Sequence, residues 1–310
     1  MTGSPGCEVV CPLTGSAEVD VLQHIPAAYL IDRYRRDLDI DISTTFDRAF
    51  SVAFCESWAT GLKFFSPPLT GGGEMYAALR GQGWYDPADK FEFDIGASAV
   101  KPGDRVLDVG CGAGHFARHV PEADYTGHDA DVEEGGTGVA MLSGDLGDLA
   151  RDHTGSFDVI SAFQVLEHAA DPVKFARDCL ALLKPGGTLV IGVPDRDSYI
   201  GSLRNSVLNA PPHHVTWWNT KSLTKLSEIV GLKDPMFHTA PVEAWEARLY
   251  WMARIQRRLL PRNAPMFNAS RRGRIATVAA YLLAGLAERV LTPRPAARGA
   301  TTVLVGRKKG

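Results

Sequence analysis

The stretch RVLDVGCGAGHFARHV, beginning at Arg105, joins an acid to three spaced glycines: Asp108, then Gly110, Gly112 and Gly114. An apolar run that stops at such a turn lets a ligand approach bare backbone. The ligands that compete for it are a dinucleotide pyrophosphate, a mononucleotide phosphate and a molecule without phosphate. The dinucleotide fingerprint G-x-G-x-x-G needs its third glycine at position 115, which is His115 here. No G-x-x-x-x-G-K-[ST] occurs, so a phosphate loop of that kind is excluded. A carboxylate at Asp108 is unhelpful beside a pyrophosphate and suits an ammonium group. Asp129 follows Asp108 by 21 residues and ends the next strand, where an acid accepts hydrogen bonds from both ribose hydroxyls. Asp145 ends the strand after that, facing an adenine amino group. Each acid alone also reads as a turn cap; three at successive strand ends point to one adenosine-containing, phosphate-free ligand.

The elements that must position these residues alternate from about residue 100. Strand-like runs at 105–110, 124–129, 138–145, 157–163 and 188–194 are interleaved with helical stretches. HFARHV reads as a helix start, 171–187 as a helix stopped by Pro-Gly-Gly, and 219–232 as an amphipathic helix. A late strand occupies 301–309. This alternation predicts a doubly wound α/β fold, with helices on both faces of a mostly parallel sheet. Ligands bind beyond the carboxyl ends of such strands, where the glycine turn lies. The expected organisation is an N-terminal lid or subdomain over 1–95, a core over 96–242, a helical insertion over 243–295 and a last core strand over 296–310. In the insertion, Trp245, Leu249, Met252 and Leu259 are expected on one stripe. The 13 uncharged residues 275–287 suit a buried or interfacial helix better than a membrane span.

Composition sets outer limits. Apolar content is 45% and charged content 22%, as in ordinary globular proteins. The start of the chain has no secretory signal pattern, and a cytoplasmic location is expected. Cys7 and Cys11 make a C-x3-C pair without a second pair, so ordinary thiols are expected rather than zinc. Net charge is −3, but from Arg254 to Gly310 thirteen Arg and Lys face one acid, Glu288. That segment is therefore +12 and the remainder −15. An acidic core without basic–aromatic interleaving argues against nucleic acid. The basic, Trp-bearing insertion suits an interfacial helix on an anionic membrane, on its inner face, or a dimerisation or lid element.

The blocks VLDVGCGAGHF (106–116), GHD (127–129), GDL (144–146), FDVISAFQVLEHAADP (157–172) and LLKPGGTLVIGVPD (182–195) together resemble class I S-adenosylmethionine-dependent methyltransferases. The last two resemble the ubiquinone- and menaquinone-type small-molecule branch. The resemblance covers roughly 100–240 and the final strand. It implies a Rossmann-like sheet of seven strands, the last antiparallel. It implies that Asp108, Gly110, Gly112 and Gly114 hold the methionine end of S-adenosyl-L-methionine, Asp129 the ribose, Asp145 the adenine, and that Gln164 lies beside the methionine moiety. The segment from Asp129 to Asp145, which includes DVEEGGTG, leaves little room for a helix, a departure from that pattern.

The expected function is methyl transfer to a small-molecule or lipid-linked acceptor, most simply a hydroxyl. A hydroxyl benefits from a base, for which His168, His213 and His214 are the catalytic candidates. Trp84, Tyr85, Trp217 and Trp218 either wall the pocket or belong to the core. No metal site is assigned, although Glu167 and His168 with His213 or His214 resemble an acid–histidine set that binds a divalent ion in some related enzymes. Gln164 stands where one such group has a further glutamate, and it is a poor ligand. A nicotinamide-dependent oxidoreductase and a non-catalytic cofactor-binding partner protein are the competing classes; Asp108 and His115 disfavour the first.

Overall fold

A computed structural model gives the fold, describing residues 9–47, 50–130 and 138–310. The N-terminal part contains β1 (Val19–Pro26), α1 (Ala27–Leu38), β2 (Ser51–Ser57), β3 (Lys63–Ser66), α2 (Gly73–Arg80) and α3 (Phe91–Ser98). Then come β4 (Arg105–Val109), β5 (Asp124–His128), β6 (Ala140–Leu142), α4 (Leu146–Asp152), β7 (Phe157–Phe163), α5 (Pro172–Leu182) and β8 (Leu183–Pro194). The chain ends with β9 (Thr216–Trp217), α6 (Thr220–Val230), β10 (Lys233–Pro241), α7 (Ala247–Leu259), α8 (Arg271–Val290) and β11 (Arg298–Arg307).

The larger sheet has seven strands in the order β10-β11-β8-β7-β4-β5-β6. β4 pairs in parallel with β5 and β7, β5 with β6, and β7 with β8. β11 runs antiparallel between β10 and β8. This is the expected doubly wound architecture with its reversed last strand. Its central strands β4, β7, β8 and β11 are apolar on both faces because both are covered. Val106, Val159, Val190, Val303 and Val305 face Phe93 and Phe116. Their neighbours Leu107, Ile160, Leu189, Ile191 and Leu304 pack on the other face with Leu180 of α5 and Leu223 of α6. α5 starts where Asp171 accepts from the Lys174 amide, with Pro172 in its first turn. α6 starts with a reciprocal cap between Asn219 and Ser222.

Two elements depart from expectation. HFARH forms a short 3-10 turn rather than an α-helix. Phe116 is locked among Phe93, Phe163 and Tyr125, and Pro121 disfavours a helical Val120. α5 ends at Leu182, not at the Pro-Gly-Gly, because Leu183 already pairs with Phe157 and Pro185 keeps Lys184 extended.

The smaller sheet, β1-β2-β3-β9, is antiparallel. Its core joins Ile25, Tyr34, Phe54, Phe65 and Trp217. β9 comes from the segment after β8, so this sheet is tied directly to the region carrying His213 and His214. Trp217 and Trp218 are both buried core residues. Cys11, Cys55 and Cys179 are buried free thiols; Cys7, the other half of the C-x3-C pair, lies outside the described residues, as does most of DVEEGGTG.

α7 and α8 pack side by side. Ala276, Ala280 and Ala284 turn inward, and Arg248 Nε donates to Glu288 across the pair at 2.8 Å. The expected single stripe on α7 does not hold: Met252 is buried against α8, whereas Trp245 and Leu259 are exposed. Nor is 275–287 buried. Ile275, Val278, Leu282 and Leu286 all face solvent, because the alanines already supply the packing face. No helix among the described residues is long and apolar enough to cross a membrane.

Candidate active site

The glycine turn closes the carboxyl end of β4. Gly110 and Gly112 hold left-handed φ values of 70° and 54°, which L side chains rarely adopt. There is no room for side chains either: a Cβ on Gly110 would lie 2.4 Å from a Val165 methyl, and one on Gly112 2.9 Å from Asp86 Oδ2. The amides of Gly110 and Cys111 donate to the His128 carbonyl at 2.6 and 3.0 Å, anchoring the turn to β5. The Gly112 amide donates to Asp129 Oδ2 at 3.1 Å. Asp108 lies beneath the turn. Its Oδ1 accepts from Ser161 Oγ at 2.7 Å and its Oδ2 from Tyr125 OH at 2.9 Å. Burial pushes its pKa up to about 6, against the opposing effect of those two bonds. Backbone bare of side chains, flanked by carboxylates, fits the amino-acid and ribose ends of a cationic nucleoside.

Two expected cofactor contacts lie apart from this cluster. Asp145 is exposed and caps α4, accepting from the Gly147 and Asp148 amides at 2.8 and 3.3 Å. Gln164, at φ 59°, sends its side-chain amide to Glu92 Oε1 at 3.0 Å and Thr301 Oγ1 at 3.3 Å.

The three histidines come together although 45 residues separate His168 from His213. His168 follows β7 in a short 3-10 turn; His213 and His214 belong to the long segment after β8. That segment is pinned in two ways. Tyr34 OH of α1 donates to the Ala210 carbonyl at 3.0 Å, and the Val215 amide donates to the Glu167 carbonyl at 2.9 Å. The ring centroids of His168 lie 4.6 Å from His213 and 5.1 Å from His214. His168 Nδ1 is 2.6 Å from the His213 carbonyl, which only accepts. That nitrogen therefore carries the hydrogen, and Nε2 keeps its lone pair. The same logic holds for His213, whose Nδ1 is 2.9 Å from the Leu208 carbonyl; its Nε2 accepts from Tyr85 OH at 2.6 Å. Burial lowers the His168 pKa to about 4 and holds His213 and His214 well below the usual range.

Glu167 completes the cluster. Its Oε1 is 3.9 Å from Nε2 of both His168 and His214. Both carboxyl oxygens are buried without a hydrogen-bond partner, and burial pushes the pKa up to about 8. One ligand atom from each histidine falls within 4.8 Å of the others.

Sequence reasoning missed Asp86 and Lys90, which approach the glycine turn from the segment between α2 and α3. Asp86 Oδ2 accepts from the Ala113 amide at 3.3 Å, and Oδ1 from Lys90 Nζ at 2.9 Å. Only their four-residue spacing marks them in the sequence. Neighbouring Tyr85 reaches His213, whereas Trp84 is exposed.

Comparison with known proteins identifies the family of the chain. A family model described as a methyltransferase domain matches residues 58–234. The chain is 36% identical over 114 residues to a ubiquinone biosynthesis O-methyltransferase of Xanthomonas campestris pv. campestris, covering 33% of this chain and 48% of that protein. Against the protein of the same description from Marinobacter nauticus it is 31% identical over 165 residues, covering 44% and 68%. The chain thus spans about half the length of the Xanthomonas relative. A solved structure of Haemonchus contortus phosphoethanolamine N-methyltransferase 2, in complex with S-adenosyl-L-methionine, aligns with a TM-score of 0.48 at 17% identity, covering 77% of this chain and 57% of that one.

Proposed function

This chain belongs to the methyltransferase-domain family, and from that premise we propose that it carries the methyl group of S-adenosyl-L-methionine to a hydroxyl oxygen of a small-molecule or lipid-linked acceptor. The observation that carries the proposal is the glycine turn, with Asp108 beneath it and Asp129 on the Gly112 amide. The bound cofactor supplies an activated methyl group on a sulfonium, open to in-line displacement. The chain's own residues orient the acceptor, exclude water and take its proton. His168 is the base: its Nδ1 hydrogen is fixed on a backbone carbonyl, so Nε2 is free to accept the proton from the acceptor hydroxyl. Glu167 Oε1 lies 3.9 Å from Nε2 and faces the imidazolium that forms there. His213, held by Tyr85, and His214 wall the acceptor side. Asp129 takes the ribose, and Asp145 and Gln164 complete the cofactor contacts after their side chains turn inward. Calorimetry with S-adenosylmethionine, S-adenosylhomocysteine and NADH tests the donor. Binding of NADH alone would overturn the proposal in favour of an oxidoreductase.

One observation favours a second reading of the acceptor side. The three histidines each bring a ligand atom within 4.8 Å of the others, a donor set that suits a divalent ion, and buried, unpartnered Glu167 lies beside them. Such an ion would polarise the acceptor oxygen in place of a free base. Full activity in excess chelator removes this reading.

The lipid-linked acceptor rests on the insertion. Ile275, Val278, Leu282, Leu286 and Val290 form an exposed apolar stripe along α8, flanked by Arg271, Arg272, Arg274 and Arg289. An apolar face rimmed by arginines complements an anionic lipid surface at the interface rather than across it. Liposome flotation with and without residues 243–293 tests this contact, and equal flotation of both proteins refutes it.

A further inference from the structure

We propose that Asp86 and Lys90 recognise the amino-acid end of the cofactor, Asp86 its ammonium and Lys90 its carboxylate. This inference rests on the cofactor assignment above and goes beyond it, because the glycine turn alone was expected to do this through Asp108. The geometry assigns Asp108 a different task. It is 2% exposed, and each of its oxygens already accepts a hydroxyl hydrogen from Ser161 or Tyr125. It braces the turn from below, where Ser161 and Tyr125 hold it.

Asp86 stands on the opposite side. Its carboxylate touches the Ala113 amide and occupies the space above Gly112, which is open only because Gly112 lacks a Cβ. Lys90 holds the other oxygen at 2.9 Å. The side chains of Asp86 and Lys90 are 23% and 17% exposed, so a ligand reaches them while bulk water is mostly kept away. The segment is also fastened to the turn: Arg118 donates to the Ala88 carbonyl at 3.2 Å, and His115 Nε2 is 3.9 Å from Asp86.

An α-amino acid zwitterion presents an ammonium and a carboxylate on one carbon. The Asp86–Lys90 pair presents the complementary charges at one hydrogen-bond length. Binding exchanges one internal ion pair for two charge-matched contacts in a sheltered position, where such contacts discriminate well. The N-terminal segment thereby closes the cofactor site that the β4 turn begins.

The test is calorimetry on the full chain and its Asp86→Asn and Lys90→Gln variants, with thermal unfolding to verify the fold. S-adenosylhomocysteine carries the zwitterion, and 5′-methylthioadenosine lacks it. Asp86→Asn is expected to weaken S-adenosylhomocysteine at least tenfold and 5′-methylthioadenosine less than twofold. Lys90→Gln is expected to weaken S-adenosylmethionine severalfold while leaving its decarboxylated form within twofold. Equal losses for the full and truncated ligands, or an unchanged S-adenosylhomocysteine affinity, mean that the pair only holds the segment in place and overturn the inference. A wild-type chain that binds neither nucleoside overturns the cofactor assignment and this inference with it, an outcome distinct from the variant results.

Discussion

At the end of β4 the chain presents backbone; at the ends of β7 and β8 it presents buried side chains. The turn at Gly110–Gly114 works because side chains are absent, and its carboxylates are tied to amides and hydroxyls. The cluster of Glu167, His168, His213 and His214 works because side chains are crowded together, and Glu167 is left without a hydrogen-bond partner. A satisfied backbone cradle binds one ligand in one way. A buried cluster with spare lone pairs has protons to accept or a cation to hold. The first arrangement suits a fixed cofactor and the second the reacting acceptor.

Removing one histidine separates the two halves most sharply. His168→Ala deletes the proposed base and is expected to lower turnover by about 10²–10⁴-fold. The affinity for S-adenosylhomocysteine should stay within twofold, because the hydrogen bond of His168 is to the His213 carbonyl and not to the turn. Steady-state kinetics and calorimetry on the same preparation check this. A comparable loss of cofactor affinity would show that the two halves are one unit.

Gly110→Ala attacks the other half. The left-handed φ costs about 1–2 kcal/mol for any L residue, and displacing the Val165 methyl adds about 1–3 kcal/mol. Denaturant unfolding is expected to reveal a loss of about 2–5 kcal/mol, accompanied by weaker cofactor binding. Val165 lies three residues before His168, so the turn and the histidine cluster share this contact. If cofactor affinity falls while stability holds, the turn is rigid only locally.

The same contrast explains what was legible in the sequence. The glycine turn is a local signal: acid and glycines lie within seven residues, and their spacing alone excludes a phosphate loop. Six of the seven strands were legible as short runs between turns; β10, with its polar and proline-bearing sequence KDPMFHTAP, was not, and the count of seven came from the family resemblance. The three histidines were visible as candidates, but their meeting depends on Tyr34 of α1 and on the Glu167 carbonyl holding the 210–216 segment, contacts between distant parts of the chain. Asp86 and Lys90 were missed because a four-residue spacing of opposite charges also marks ordinary helix surfaces. For α8 the sequence left a buried and an interfacial helix open, and the buried alternative fails because three alanines, weak in any hydropathy pattern, form the packing face. Asp145 was visible as a strand-end acid, and its present role is to cap α4.

The smallest expected effect comes from Asp108, which belongs to the backbone half yet resembles the other in being buried. Its pKa is raised to about 6 from the ordinary 3.8, so the folded chain binds its proton more tightly than the unfolded chain. Its contribution therefore favours folding at low pH and is lost as pH rises through 3.8 to about 6. His168, lowered to about 4, acts in the opposite sense between pH 4 and 6.5, so the wild-type curve alone does not isolate Asp108. The difference between wild type and Asp108→Asn does. Asparagine keeps the shape and the capacity to bond Ser161 and Tyr125 but has no proton to lose. Between pH 4.5 and 6, wild type is expected to lose about 1–2 kcal/mol relative to the variant, measured by urea unfolding at each pH. Parallel curves would mean that Ser161 and Tyr125 fully compensate the burial of the charge. Asp108 would then be an ionised member of the cradle at every working pH, and the two halves would differ even more than their geometry suggests.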